Sequence, residues 1–184
     1  MKASIILSTY NRPQALLTVL EALKLQTIQD FEVCIADDGS TKDTQQIIEN
    51  FQQNSAFPIL HAWQDDRGFR AASARNNAVR MSSGDYLLFL DGDCIPRPNW
   101  IQQHLTLSEK HAFVAGNRVL LDETLSHAIE THRIPFTDLF GLNVLRHKEH
   151  INRLIPLLKI PLGSMRKLKP TSWAKVCALI PMGF

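Results

Sequence analysis

Four short apolar runs, each closed by acidic or hydroxyl residues, are separated by helix-like stretches over the first 93 positions. Residues 4–8 read SIILS, 31–36 FEVCIA, 58–63 PILHAW and 85–90 DYLLFL. Runs that are apolar at successive positions suit strands covered on both faces. Between them Leu16, Leu17, Leu20 and Leu23 recur at helical spacing, as do Ile47, Ile48 and Phe51, and residues 71–81 are Ala-rich. Asn11 is expected to cap the first helix, with Pro13 in its first turn, and Ser40 with Asp43 to open the second as a capping box. A helix over 99–109 and a strand over 112–121 follow, with helical periodicity again over 123–133 and 136–158. The alternation predicts an α/β fold: an open, mostly parallel sheet with helices on both faces.

In such sheets ligands lie beyond the C-terminal ends of the strands. Polar clusters fall at four of those ends: residues 8–12 (STYNR), 37–41 (DDGST), 65–68 (DDRG) and 91–93 (DGD). The pair Asp37 and Asp38 taken alone reads equally as a solvated turn. Asp91 and Asp93 follow the most apolar strand, and the glycine between them allows a tight approach of backbone to ligand, so both carboxylates can converge on one hard cation. Neither GxGxxG nor GxxxxGK[ST] is present, so the phosphates of any nucleotide would be handled through a metal. Arg75 either adds a fixed positive charge near such a phosphate or is a surface helix residue.

Composition narrows the class. A chain of 184 residues, 45% hydrophobic and 21% charged, has enough apolar material for one domain and is not a disordered segment. Cys34, Cys94 and Cys177 show no CxxC spacing, which argues against a disulfide framework or a zinc knuckle. No apolar run approaches the ~20 residues of a membrane span, and no leader pattern opens the chain, so a cytoplasmic location is expected. Charge is uneven: residues 1–130 hold 11 basic and 16 acidic residues, and residues 131–184 hold 9 and 2. The basic tail could meet an anionic substrate, lie peripherally on the anionic inner face of a membrane, or be a solvated helical face. Nucleic acid is not expected as a partner.

Four segments, residues 4–12 (SIILSTYNR), 25–44 (LQTIQDFEVCIADDGSTKDT), 66–78 (DRGFRAASARNNA) and 84–96 (GDYLLFLDGDCIP), together resemble family 2 glycosyltransferases of the GT-A fold. Residues 66–70 and 111–121 (HAFVAGNRVLL) are most similar to the chondroitin-polymerase-type branch. The resemblance implies a GT-A type, Rossmann-like sheet with flanking helices and a C-terminal helical arm. It implies metal-dependent, inverting transfer of a sugar from a UDP-sugar donor to a glycan or lipid-linked acceptor. By motif, Ser8, Tyr10, Asn11 and Arg12 would line the nucleoside pocket. Asp38 would meet the uracil ring, with Asp37 the alternative, and Arg75 and Arg70 would sit near ribose and diphosphate. Asp93 would bind Mn2+ or Mg2+, and Asp91 would contact ribose or support the metal.

The resemblance divides the chain into a nucleotide-sugar-binding half, residues 1–121, and a second part, residues 122–184, with a helical basic arm and the start of an acceptor half. The family's general base is a carboxylate in that acceptor half, and here the last Asp is Asp138 and the last Glu is Glu149. No catalytic base is therefore identified. The expectation is a member truncated within the acceptor half, with an incomplete sheet. The alternative is a catalytically inactive remnant that binds a nucleoside diphosphate.

Overall fold

The computed structural model describes residues 1–154 and, as backbone alone, 175–181. Four strands, β1 (Ala3–Thr9), β2 (Phe31–Asp37), β3 (Ile59–Trp63) and β4 (Tyr86–Asp91), form a parallel sheet in the order β3-β2-β1-β4. They are joined by α1 (Pro13–Lys24), α2 (Lys42–Gln53) and α3 (Ala71–Met81). The steps from β1 to β2 and from β2 to β3 run in one direction across the sheet. Right-handed crossovers therefore put α1 and α2 on one face. The return from β3 to β4 steps the other way and puts α3 on the opposite face.

The two faces bury different side chains, as period-two strands require. Ile5, Leu7, Val33, Ile35, Leu88 and Leu90 pack with Leu16, Leu20 and Leu23 of α1 and Ile48 and Phe51 of α2. Ile6, Cys34, Ala36 and Ala62 pack on the other side against Ala74 and Ala78 of α3, whose small side chains let that helix sit close. Each large aliphatic side chain in this core contributes about 1.5–3 kcal/mol through burial.

The sheet is also pinned at the N-terminal ends of its strands. Glu32 is 3% exposed, yet it is a carboxylate. It accepts hydrogen bonds from the Ser4 hydroxyl (2.6 Å), the Ser83 hydroxyl (2.7 Å), the Ser83 backbone N–H and the Lys2 ammonium (3.0 Å). Burial pushes its carboxyl up, but these donors outweigh burial and hold it at about 2.

Beyond β4 come β5 (Cys94–Pro96), α4 (Trp100–Leu107), β6 (Ala115–Arg118) and α5 (Glu123–Glu130). A further strand, β7 (Lys175–Pro181), lies between β5 and β6, antiparallel to the first and parallel to the second. Asp122 caps α5 by accepting from the Leu125 N–H at 2.9 Å. The helix expected over 136–158 is instead two 3-10 segments, Phe136–Leu139 and Gly141–His150, in its described part. Gly141, at φ +70°, breaks the α-helical path between them. Much of the basic tail, including the stretch RKLK at 166–169, lies outside the described residues. Among the described residues no helix is long and apolar enough to cross a membrane.

The two expected caps are corrected. Arg12, not Asn11, occupies the N-cap of α1, and Thr41, not Ser40, that of α2. Asn11 and Ser40 serve each other's loops instead. The Asn11 N–H donates to Ser40 Oγ at 3.0 Å, and the Thr41 N–H donates to Asn11 Oδ1 at 2.9 Å. This exchange holds Asn11 at φ +50°, a left-handed conformation that asparagine tolerates better than most residues.

Candidate functional site

Strand order reverses between β1 and β4, and the polar strand ends gather at that switch point. The register places Ser8 beside Asp91 and Thr9 beside Asp37. A cavity of about 210 Å³ opens there, lined by residues of the β1, β2 and β4 ends and of the loop before α3. Of the residues expected from the sequence, Ser8, Tyr10, Arg12, Asp38, Arg75, Asp91 and Asp93 line it. Asn11 and Asp37 are not among its walls.

Neighbouring Asp37 and Asp38 have separate surroundings. Asp37 is fully buried, accepts from the Ser40 N–H at 2.8 Å and lies 2.9 Å from His61 Nε2. Burial pushes its carboxyl up, but the His61 and Ser40 hydrogen bonds outweigh this and hold it below the usual range. Asp38, 5% exposed, reaches the cavity wall and accepts from Gln64 Nε2 (2.6 Å) and the Arg70 N–H (2.7 Å).

On the β4 side, Asp91 Oδ1 accepts from Ser8 Oγ (3.2 Å) and from Arg75 Nη2 (2.8 Å), and Arg75 also donates to Ser8 Oγ (3.0 Å). Arg118 approaches the other Asp91 oxygen at 3.7 Å. Asp93 pairs with Arg12 at 3.3 Å. Gly92 has a specific role between them. A Cβ there would lie 2.5 Å from the Ser8 carbonyl oxygen, so this glycine lets the turn close against β1 rather than against a ligand. Gly92→Ala is expected to push the turn outward and cost about 1–3 kcal/mol of stability. An unchanged urea midpoint for this variant would contradict that close contact.

Ligand atoms of Asp91, Asp93 and Cys94 lie within 4.8 Å of one another. Cys94 is fully buried, and burial together with the adjacent Asp93 and Asp91 charges pushes its thiol strongly up. Its Sγ–H points to Asp93 Oδ1 at 3.5 Å. The donors open to the cleft are carboxylate oxygens, a set that fits a hard divalent cation.

A sequence profile of glycosyl transferase family 2 matches residues 4–166. The chain belongs to that family. Curated relatives include validoxylamine A glucosyltransferase of Streptomyces hygroscopicus subsp. jinggangensis, 37% identical over 120 residues, covering 64% of this chain and 27% of that protein. Chondroitin synthase of Escherichia coli is 37% identical over 105 residues, 56% of this chain and 15% of the relative. Hyaluronan synthase of Pasteurella multocida is 35% identical over 122 residues, 65% and 12% of the two chains. The chain thus spans little more than a quarter of these relatives' length at most. Among solved structures, S. aureus TarS 1-349 in complex with UDP-GlcNAc aligns with a TM-score of 0.51 at 28% identity, covering 66% of this chain and 34% of that one. The GT-A type α/β architecture expected from the family 2 motifs is the one observed.

Three residues at or behind the family 2 cleft escaped the motif reading. Phe69 lines the cavity and is 95% exposed, an aromatic ring in a polar loop that the sequence could have flagged. Arg118, facing Asp91, and Glu130, paired with Arg12, come from distant segments, and nothing local in the sequence marks them.

Proposed function

We propose that this family 2 chain binds a UDP-sugar in the cleft at the β1/β4 switch point and serves inverting transfer of the sugar to a glycan or lipid-linked acceptor. One observation carries the reading: Asp38, Arg75, Asp91 and Asp93 line a single cavity at the reversal of strand order. Residues 1–121 form the nucleotide-sugar half, and residues 122–184 belong to the arm and acceptor side.

In this reading the cavity end at Ser8, Tyr10 and Asp38 takes the nucleoside, with Asp38 accepting from the uracil N–H. Tyr10 is half-exposed and hydrogen-bonds Asp66 at 3.0 Å, which fixes its ring at the cavity mouth. Arg75, anchored by Ser8 and Asp91, supplies positive charge beside the diphosphate. Asp91 and Asp93 would hold Mn2+ or Mg2+. Such a cation stabilises negative charge that develops on the leaving diphosphate.

A second reading, binding without turnover, rests on the carboxylate inventory. Among the described residues, Asp38, Asp91 and Asp93 are the carboxylates that line the cavity, and all three are engaged. A general base for the acceptor hydroxyl needs a further group. Calorimetry with UDP and Mn2+, run beside an assay for UDP release from UDP-sugars, separates the two. Metal-dependent binding with acceptor-stimulated release supports transfer, and binding without release supports the second reading. Absence of UDP binding overturns both.

A further inference from the structure

Arg12 holds two carboxylates at once. One guanidinium nitrogen, Nη1, lies 3.3 Å from Asp93 Oδ2, and the other, Nη2, donates to Glu130 Oε1. The left-handed turn at Asn11, tied to the Ser40 loop, aims Arg12 toward the Asp91–Asp93 turn. Glu130 sits in the last turn of α5, the end where the helix dipole disfavours a carboxylate unless a cation is near. Among the described residues, three carboxylates (Asp91, Asp93, Glu130) thus pair with three guanidinium groups (Arg12, Arg75, Arg118).

We infer that Arg12 is a built-in counter-cation for Asp93, that Glu130 is the carboxylate to which it retreats, and that this pair of positioning residues sets how tightly the site takes a divalent cation. The inference rests on the assignment of Asp91 and Asp93 as the metal carboxylates. A guanidinium on Asp93 competes with a metal ion for the same oxygen. Glu130 lowers the cost of Arg12 leaving Asp93, because Arg12 keeps a partner after it has moved. The arrangement thereby couples α5, outside the nucleotide-sugar half, to metal loading.

The two substitutions have opposite signs. Arg12→Gln removes the competitor and tightens Mn2+ binding. Glu130→Gln leaves Arg12 with Asp93 as its remaining carboxylate in this bridge and weakens Mn2+ binding. Each effect is expected to be about two- to fivefold, the scale of one partly exposed ion pair. In the Arg12→Gln background, Glu130→Gln has no further effect. The test is titration of the full chain with Mn2+ alone, followed by electron paramagnetic resonance of free Mn2+, with Asp93→Asn alongside. Opposite signs with the silent double variant are the expected result. Weaker binding by Arg12→Gln, or loss in both single variants, overturns the counter-cation role, since a merely structural bridge weakens the site whichever end is cut. If Asp93→Asn binds Mn2+ as the unaltered chain does, the metal assignment itself falls and takes this inference with it.

Discussion

Asp93→Asn is expected to weaken UDP binding in the presence of Mn2+ by at least about tenfold, or 1.4 kcal/mol. It removes one of the two charged oxygen donors at the Asp91–Asp93 turn and keeps its shape, so the fold is preserved. The informative control is the same titration in EDTA. Without metal, Asp93 is a negative charge close to where a diphosphate would lie, and it also engages Arg12. Its neutralisation should then leave UDP binding unchanged or tighten it slightly, because a negative charge beside the anion is gone. The loss is therefore expected only with metal present, with no change or a slight gain without it. An equal loss with and without metal would show that Asp93 acts on the nucleotide directly or on the fold, and it would remove the metal assignment. Isothermal titration with UDP, with urea unfolding of the same samples, covers both outcomes.

The largest expected effect on stability lies at the far end of the sheet. Glu32→Ala strips the carboxylate from the Ser4 hydroxyl, the Ser83 N–H and hydroxyl, and Lys2. Ser4 is fully buried and cannot turn to water, whereas Lys2 is partly exposed and can. A loss of about 2–4 kcal/mol follows from leaving buried donors without a carboxylate. Acid should produce a related change in the unaltered chain. The folded carboxyl is held at about 2, below the ordinary glutamate value of 4.5. Its contribution is fully present above that ordinary value and is lost as pH falls toward 2. The whole linkage is worth about 3 kcal/mol. Urea unfolding at pH 7 and at pH 3 should therefore show the gap between Glu32→Ala and the unaltered chain narrowing in acid. A gap independent of pH would mean that the carboxylate is not held in its charged form by these donors.

The parts of this structure that could be read from the sequence were those governed by local pattern. Runs such as SIILS and FEVCIA carry apolar residues at consecutive positions because both faces of the sheet are covered, and that pattern survives without any knowledge of neighbours. The four polar strand ends were legible for the same reason, since the transition from buried strand to open cleft is abrupt in sequence. The family resemblance favours Asp38 over Asp37, but the residues alone do not separate them, because adjacent residues differ in direction and only the packing shows which one meets His61 and which the cavity. The helix caps were misread because Asn11 and Ser40 have two sets of N–H groups within reach. Local rules count only the set in their own helix. Gly92 was read as room for a ligand, and the room is taken by the carbonyl of Ser8. Glu130 and Arg118 are invisible to any local rule, since their meaning lies in partners across the fold. The 3-10 turns after α5 replaced an expected helix because Gly141 adopts a conformation that periodicity counting does not see.

The strand order has a consequence for synthesis of the chain. β1 is an inner strand of the sheet that pairs on one side with β2 and on the other with β4, in the register Ala3 to Phe31 and Ala3 to Tyr86. Emerging from the ribosome, it meets its first neighbour early and waits for its second until α1, β2, α2, β3 and α3 have all been made. For that interval the edge bearing Ile5, Ile6 and Leu7 has no partner strand. It is an apolar edge that can recruit another nascent chain. The same crossover that opens the cleft between β1 and β4 thus makes the order of translation a hazard. Slow passage through the codons between β3 and β4 would lengthen the time during which this chain is most prone to aggregate.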